Sequence, residues 1–235
     1  MNNYYNNMNL WLNDITYKSI DSINTNDILI NNNQILKIQN KLIPVLTVFT
    51  DLNYFTIGYD NTLLVYDNEQ SKTILAKDYI NSNYRYKIKL SAIETDYEYS
   101  KVNAYYAGYD LIFTYLLYTS IATRKSILAG IIDNLSITFI PKGISINIDD
   151  EKIKNNIANL TRSLGYITFI RPNCINLLGN FNDIPVKEKK EIQHIDYNNL
   201  YVGFSIIDNN QSMICYNIQC NNNIGINNNG LEILL

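Results

Sequence analysis

An Ala-Gly pair sits inside two apolar stretches of this chain, Tyr106-Ala107-Gly108-Tyr109 and Leu128-Ala129-Gly130-Ile131, matched in register 22 residues apart. The surrounding segments, Val102 to Leu117 and Arg124 to Leu135, are long, apolar and partly aromatic, a pattern that suits two buried helices. A glycine inside a helix costs about 1 kcal/mol of propensity relative to alanine. Close backbone approach is the feature that offsets such a cost. Ala107, Gly108, Ala129 and Gly130 are therefore expected to form the contact face of a helix pair.

The residues after the second stretch are equally regular. Ile137 to Ile140 and Ile144 to Ile148 flank Pro141-Lys142-Gly143, which predicts a hairpin with Ile144, Ile146 and Ile148 on one face and Ser145 and Asn147 on the other. Asp149 or Asp150 then caps a helix whose apolar stripe is Ile153, Ile157, Leu160 and Leu164, ending at Gly165. Tyr166 to Arg171 reads as a further strand. Residues 124–171 thus spell helix, hairpin, helix, strand.

On either side the character is β. From Leu10 to Asp67, short apolar runs broken by Asn, Asp and Ser predict short strands. Tyr84 to Ala92 alternates, placing Arg85, Lys87 and Lys89 on the outer face of a half-buried strand. Beyond Pro185, Lys187 to Glu191 reads as a solvated linker, and Leu200 to Ile207 with Ser212 to Ile218 as a hairpin closed by Asp208-Asn209-Asn210. The expectation is an α+β chain in which a β domain, residues 1–98 and 186–235, is split by an α+β insert at 99–185.

Charge and composition narrow the function. A formal charge of −3 supplies no global attraction for nucleic acid or an anionic membrane, so any DNA contact must rest on a local face. Three cysteines with no CxxC argue against a disulfide framework and a structural zinc site, and fit a reducing compartment. The opening residues lack a basic segment followed by an apolar one, and no apolar run approaches about 18 residues. A soluble intracellular chain, nuclear or cytoplasmic and not secreted, is expected. Asn and Ile, about 38 each, and 20 Tyr share AT-rich codons, so the Asn runs at 31–33, 221–223 and 227–229 are taken as loop punctuation.

Several stretches resemble one family. Thr123-Arg124-Lys125-Ser126-Ile127-Leu128-Ala129-Gly130-Ile131-Ile132-Asp133 resembles the second LAGLIDADG block of homing endonucleases, and Ala104-Tyr105-Tyr106-Ala107-Gly108 a worn first block. Leu160-Thr161-Arg162-Ser163-Leu164-Gly165 is similar to a stretch that endonuclease-bearing inteins carry after their hairpin. Asp14 to Ile28 resembles the first intein block, Phe55 to Val65 the second, and Tyr201-Val202-Gly203-Phe204 through Asn222 the two closing ones. The resemblance covers most of the chain, with Leu128 to Asp133 its specific block. It implies a split, horseshoe-shaped Hint β domain carrying a truncated LAGLIDADG insert, and a family activity of Mg²⁺-dependent double-strand DNA cleavage with protein splicing.

What the family needs is only partly present. Its metal-bridging acid lies at the C-terminal end of each paired helix. Here those places fall on Phe113 and Leu135, which hold no Mg²⁺. Asp110 and Asp133 remain as candidates for a displaced ligand, against a plain helix-terminal role, and no resident metal or cofactor is expected. Splicing needs an N-terminal Cys or Ser, a His in the second block and a closing His-Asn. The nucleophile place falls near Asn3 and the His on or beside Asn61; Asn221 or Asn222 has cyclising chemistry but no preceding His. Cys220 reads as a strand-end thiol, and His194 receives no family role. The 22 residues between the blocks hold no complete first half, so only 124–171 is whole.

The resemblance therefore implies a catalytically degenerate member, at most DNA-binding. Thr138, Lys142, Ser145, Asn147 and Arg171 would meet double-stranded DNA in the major groove. The rival reading is a non-catalytic interaction or scaffold protein with Tyr105, Tyr106 and Tyr109 at its interface. No membrane partner is expected, and the oligomeric state is left open.

Overall fold

The computed structural model describes residues 2–5, 8–12, 17–30, 32–52, 54–80, 82, 85–93, 95, 102–197, 200–227 and 231–235. Asp14, Tyr84 and the expected boundary at 98/99 lie outside these described residues. The chain divides into two compact units, Met1–Ser91 with Leu200–Leu235, and Ala92–Asn199. It is mixed α+β with mostly antiparallel sheets. Residues 186–199, expected to open the closing β segment, belong instead to the second unit. Val186 and Ile192 are buried in its core.

The first unit contains β1 (Asn9–Trp11), β2 (Tyr17–Ser19), β3 (Ile28–Leu29), β4 (Asn33–Thr50), β5 (Tyr54–Gly58), β6 (Thr62–Asp67), β7 (Gln70–Leu75), the one-turn α1 (Ala76–Tyr79) and β8 (Lys87–Lys89). The second unit holds α2 (Ala104–Tyr109), α3 (Ile121–Asn134), β9 (Ile137–Ile140), β10 (Gly143–Asn147), α4 (Glu151–Ser163), β11 (Ile167–Ile170) and β12 (Cys174–Leu178). The chain then returns to the first unit with β13 (Tyr201–Cys220), β14 (Ile224–Ile226) and β15 (Glu232–Leu234).

The main sheet of the first unit runs β3-β4-β13-β8-β6-β7, with β5 also paired to β4. Two expectations are corrected here. The apolar runs before and after Asn40-Lys41 form one 18-residue strand, and the expected 201–218 hairpin is one continuous 20-residue strand. Each strand templates the other, from Thr50 opposite Phe204 to Ile35 opposite Cys220. The polar residues read as a turn form a bulge. Asp208 pairs with Leu46 and Gln211 with Val45, so Asn209 and Asn210 are extruded and the ladder resumes. Asn210 takes a left-handed φ of 52°, and Asn209 donates to Thr47 Oγ1 at 2.6 Å. Val45 to Val48 are all buried, the mark of a strand covered on both faces.

In the second unit the antiparallel sheet order is β11-β12-β10-β9. Ile170, Ile175, Ile146 and Ile137 form one cross-strand row on the core face; Phe169, Asn176, Ser145 and Thr138 form the matching row on the other. α4 starts at Asp150, whose carboxylate accepts the Ile153 N–H at 2.9 Å, and is closed by Gly165 at φ 83°. Its Ile157 and Leu160 join Ile144, Ile146, Ile175 and Leu177 in the core.

The first predicted helix is shortened to the six residues of α2. Leu111 adopts φ 58°, and the N–H groups of Leu111 and Ile112 turn back to the carbonyls of Gly108 and Ala107, a Schellman end. A 3₁₀ turn, Thr114–Leu116, follows. In the β9–β10 hairpin the left-handed residue is Lys142, φ 69°, and not Gly143. Gly143 is needed for a different reason, because a Cβ there would meet the backbone of Leu177 and Leu178. Among the described residues no helix is long and apolar enough to cross a membrane.

Candidate functional site

The helix pair is built on its glycines. A Cβ on Gly108 would stand 2.8 Å from the carbonyl carbon of Ile127, and one on Gly130 2.6 Å from the Tyr109 nitrogen, each closer still to a carbonyl oxygen of the facing helix. Ala129 is fully buried and Ala107 nearly so. The two helices thus touch backbone to backbone.

At the C-terminal ends of this pair the chemistry differs from a metal centre. Phe113 is 1% exposed and part of the core, and Leu135 packs against it. Asp110 is an exposed C-cap. Asp133 is buried, and its acceptors are spoken for. Oδ2 takes the Tyr105 hydroxyl at 2.8 Å and the N–H groups of Lys187 at 2.7 Å and Glu188 at 3.3 Å; Oδ1 takes the Lys189 N–H at 3.0 Å. Burial pushes its carboxyl pKa up, but the donors from Lys189, Lys187, Tyr105 and Glu188 outweigh that and hold it below the ordinary range. Lys187, Glu188, Lys190 and Glu191 are exposed, as expected of a solvated segment, but the backbone of the turn at residues 187–189 is anchored and is not a free linker.

That turn delivers two ammonium groups. Lys189 Nζ donates to the carbonyls of Ile132 at 2.6 Å, Asp133 at 3.2 Å and Leu135. Lys187 Nζ lies 3.7 Å from the Tyr105 ring centroid and 4.6 Å from that of Tyr106. This donor set does not fit a divalent ion: Phe113 and Leu135, the places the resemblance implies for metal acids, are apolar, the nearby carboxylate is saturated by N–H and O–H donors, and a cation already sits on the carbonyls. Among the described residues no group of three or more His, Cys, Asp or Glu is placed to hold a metal.

The tyrosines proposed for a protein interface are mostly internal. Tyr105 is buried, Tyr109 packs against the core, and Tyr106 alone is 54% exposed.

Of the residues predicted to meet DNA, Thr138, Lys142, Asn147 and Arg171 are exposed. Ser145 is corrected: it stands on the outer face but is 8% exposed, flanked in its row by Thr138 and Asn176. Lys142 Nζ lies 4.8 Å from the Tyr197 ring centroid, and the Arg171 guanidinium 5.6 Å from that of Phe169. On this face the row of Phe169, Asn176, Ser145 and Thr138 lies next to an apolar row of Ile167, Leu178, Gly143 and Ile140, with a cation beside an aromatic ring at two of its margins.

In the first unit the structure brings Asn3 and Asn61 together. The Asn3 N–H donates to Asn61 Oδ1 and Asn61 Nδ2 to the Asn3 carbonyl, both at 2.8 Å. Asn2, missed in the sequence, joins them. Its Nδ2 donates to the carbonyls of Thr62 at 2.8 Å and Leu234 at 3.0 Å, and its Oδ1 accepts the Thr62 N–H. The Tyr4 hydroxyl also donates to the Leu234 carbonyl, and Asn217 Nδ2 to that of Asn2.

Asn221 and Asn222 take other partners. The Asn222 N–H and carbonyl pair with the Asn33 side chain at 2.8 and 2.7 Å. Cys220 is buried, which pushes its thiol up to about 11 and keeps it protonated at neutral pH. His194 is exposed in a 3₁₀ turn of the second unit. The Asn61 side chain thus holds the Asn3 backbone, and the Asn2 side chain holds the backbones of Thr62 and Leu234, so these amides tie the opening segment to two other parts of the chain.

The sequence also gave no sign of two interior cations. The Arg124 guanidinium, fully buried, donates to the carbonyls of Thr119 at 2.9 Å, Ser163 at 2.8 Å and Ile93; burial pushes its pKa down to about 10. Lys154, equally buried, reaches Glu151 at 2.7 Å and the carbonyls of Arg171 at 3.2 Å and Pro172. A cation among helix-forming polar residues carries no sequence mark of burial. No family model and no curated protein matches this chain.

Proposed function

We propose that this chain is a non-cleaving descendant of an intein-borne LAGLIDADG homing endonuclease, and that its remaining activity is to hold duplex DNA on the outer sheet face of the second unit. The observation that carries the reading is the backbone contact through Gly108 and Gly130, at the two places where the resemblance puts its paired blocks. Adjacent support comes from the sheet that follows, whose polar row offers Thr138 and Asn176 with Lys142 and Arg171 at the margins. The pairing of Asn3 with Asn61 supports the intein part, since the resemblance assigns those places to the splicing nucleophile and its polarising His. Amides at both places, and apolar residues at Phe113 and Leu135, leave neither reaction its chemistry.

Fluorescence anisotropy of purified protein with mixed duplex DNA over a salt series tests this. With two exposed cations on the face, the log–log salt slope should be about −2. Arg171→Ala and Lys142→Ala should each weaken binding and flatten that slope. Strand cutting on addition of Mg²⁺ refutes the non-cleaving reading. Absence of binding at low salt refutes the DNA reading, and a concentration-dependent oligomer in that case favours an interaction protein.

A further inference from the structure

We propose that the C-terminal end of α3 is a cation site filled in cis by the Lys189 ammonium, in place of the divalent ion that the family resemblance implies. This rests on the geometry of the second unit alone and stands or falls independently of DNA binding. The last carbonyls of a helix have no partner within it and carry the negative end of its dipole. Three of them, on Ile132, Asp133 and Leu135, converge on Lys189 Nζ. An ammonium has three protons to give and no acceptor, so three carbonyls satisfy it completely.

The chain holds the lysine there with the neighbouring carboxylate. Asp133 accepts the backbone N–H groups of Lys187, Glu188 and Lys189, so the acid nearest the expected metal place fixes the turn that carries its substitute. Replacement of the two metal acids by Phe113 and Leu135 removes the negative charge that a divalent ion needs, while leaving carbonyls that suit a single positive charge. The same unit repeats the device, with Arg124 on the Ser163 carbonyl near the end of α4 and Lys154 on those of Arg171 and Pro172.

The test is thermal unfolding followed by the far-UV helical signal for the wild-type protein, Lys189→Ala, Lys189→Met, Lys189→Arg and the exposed control Lys190→Ala. Each is measured in methylammonium chloride against sodium chloride at equal ionic strength, and with MgCl₂ or CaCl₂. Lys189→Ala and Lys189→Met should melt about 5 °C or more below wild type, while Lys190→Ala and Lys189→Arg stay near it. Methylammonium should restore part of the loss in Lys189→Ala and leave wild type unmoved. A Lys189→Ala no weaker than Lys190→Ala overturns the proposal, as does methylammonium raising wild type and variant alike. So does a rise of the wild-type melting temperature with MgCl₂ or CaCl₂ beyond the sodium control. Should Lys189→Ala fail to fold, Lys189→Met against Lys189→Arg decides the matter: equal losses in the two refute a requirement for charge.

Discussion

Gly130→Ala sets two effects of opposite sign against each other. In an isolated helix the change stabilises by about 1 kcal/mol. In this protein the new Cβ would lie 2.6 Å from the Tyr109 nitrogen and closer still to the Tyr105 carbonyl oxygen, where ordinary contact begins near 3.4 Å. The atoms it meets are backbone, so no side chain can swing aside; α2 must shift by most of an ångström. A gap of that size forfeits a quarter to a half of the dispersion attraction along the seam, and overpacking of this kind costs about 3 kcal/mol at the upper end. The shift also strains the 2.8 Å bond from Tyr105 to Asp133, worth about 1 kcal/mol. The net expectation is a loss of about 3 kcal/mol. Urea unfolding measures it, with far-UV dichroism reporting chiefly on α2, α3 and α4 and fluorescence of Trp11, the single tryptophan, reporting on the first unit. Gly203→Ala is the control, since nothing lies within 4 Å of its Cβ position, and it should be neutral or slightly stabilising. A Gly130→Ala protein as stable as wild type would mean that propensity wins and that the helices do not meet backbone to backbone.

Three further outcomes are expected. Arg124→Met leaves the carbonyls of Thr119, Ser163 and Ile93 without their donor and should destabilise the second unit by about 2–4 kcal/mol in the same urea assay. Asp133 has its folded pKa below the unfolded value, so its contribution is full above about pH 4 and is lost as pH falls through the folded pKa; Asp133→Asn should lower stability at neutral pH and leave a flatter acid limb, the two curves converging in acid. Asn61→Ala removes both bonds to Asn3, and hydrogen exchange at Asn3 and Tyr4 should rise while α3 and α4 keep their protection.

Residues 124–171 were legible because their signals are local: a 3.6-residue stripe, an Asp cap, a closing Gly, and a Pro-Lys-Gly turn between alternating runs, of which Gly143 proves to belong to the strand. The glycine contact was legible for the same reason, since an Ala-Gly pair in an apolar helix asks for a close neighbour. β13 was not, because what keeps Asn209 and Asn210 from closing a hairpin is β4, a partner far away in sequence. At Lys187 to Lys189 the solvated charges were legible and the anchor was not, because the N–H groups that Asp133 accepts belong to the backbone and leave no mark on the sequence. In the first unit, the resemblance gave Asn3 and Asn61 as lost splicing places and Asn221 and Asn222 as residues with cyclising chemistry, and it named no residue that closes on the opening segment. Besides Tyr216 and Asn217 of β13, the opening segment meets Leu234, whose contribution is a carbonyl and so leaves no trace in side-chain identity.

The pairing of β4 with β13 also dictates an order of events during synthesis. β4 leaves the ribosome before β13, and its Ile35 pairs with Cys220, about 185 residues later. Until then its long edge has no permanent neighbour, the condition under which strands from different chains find one another. The second unit is continuous in sequence and can fold in that interval. Leu90 and Leu200, at its entry and exit, are hydrogen-bonded at 2.6 Å, so a folded insert shortens the flexible loop that β13 must close. Mutations that slow the helix pair, Gly130→Ala among them, therefore carry a second penalty outside their own unit: a longer wait for β4, and a lower yield of soluble protein than their equilibrium stability alone would give.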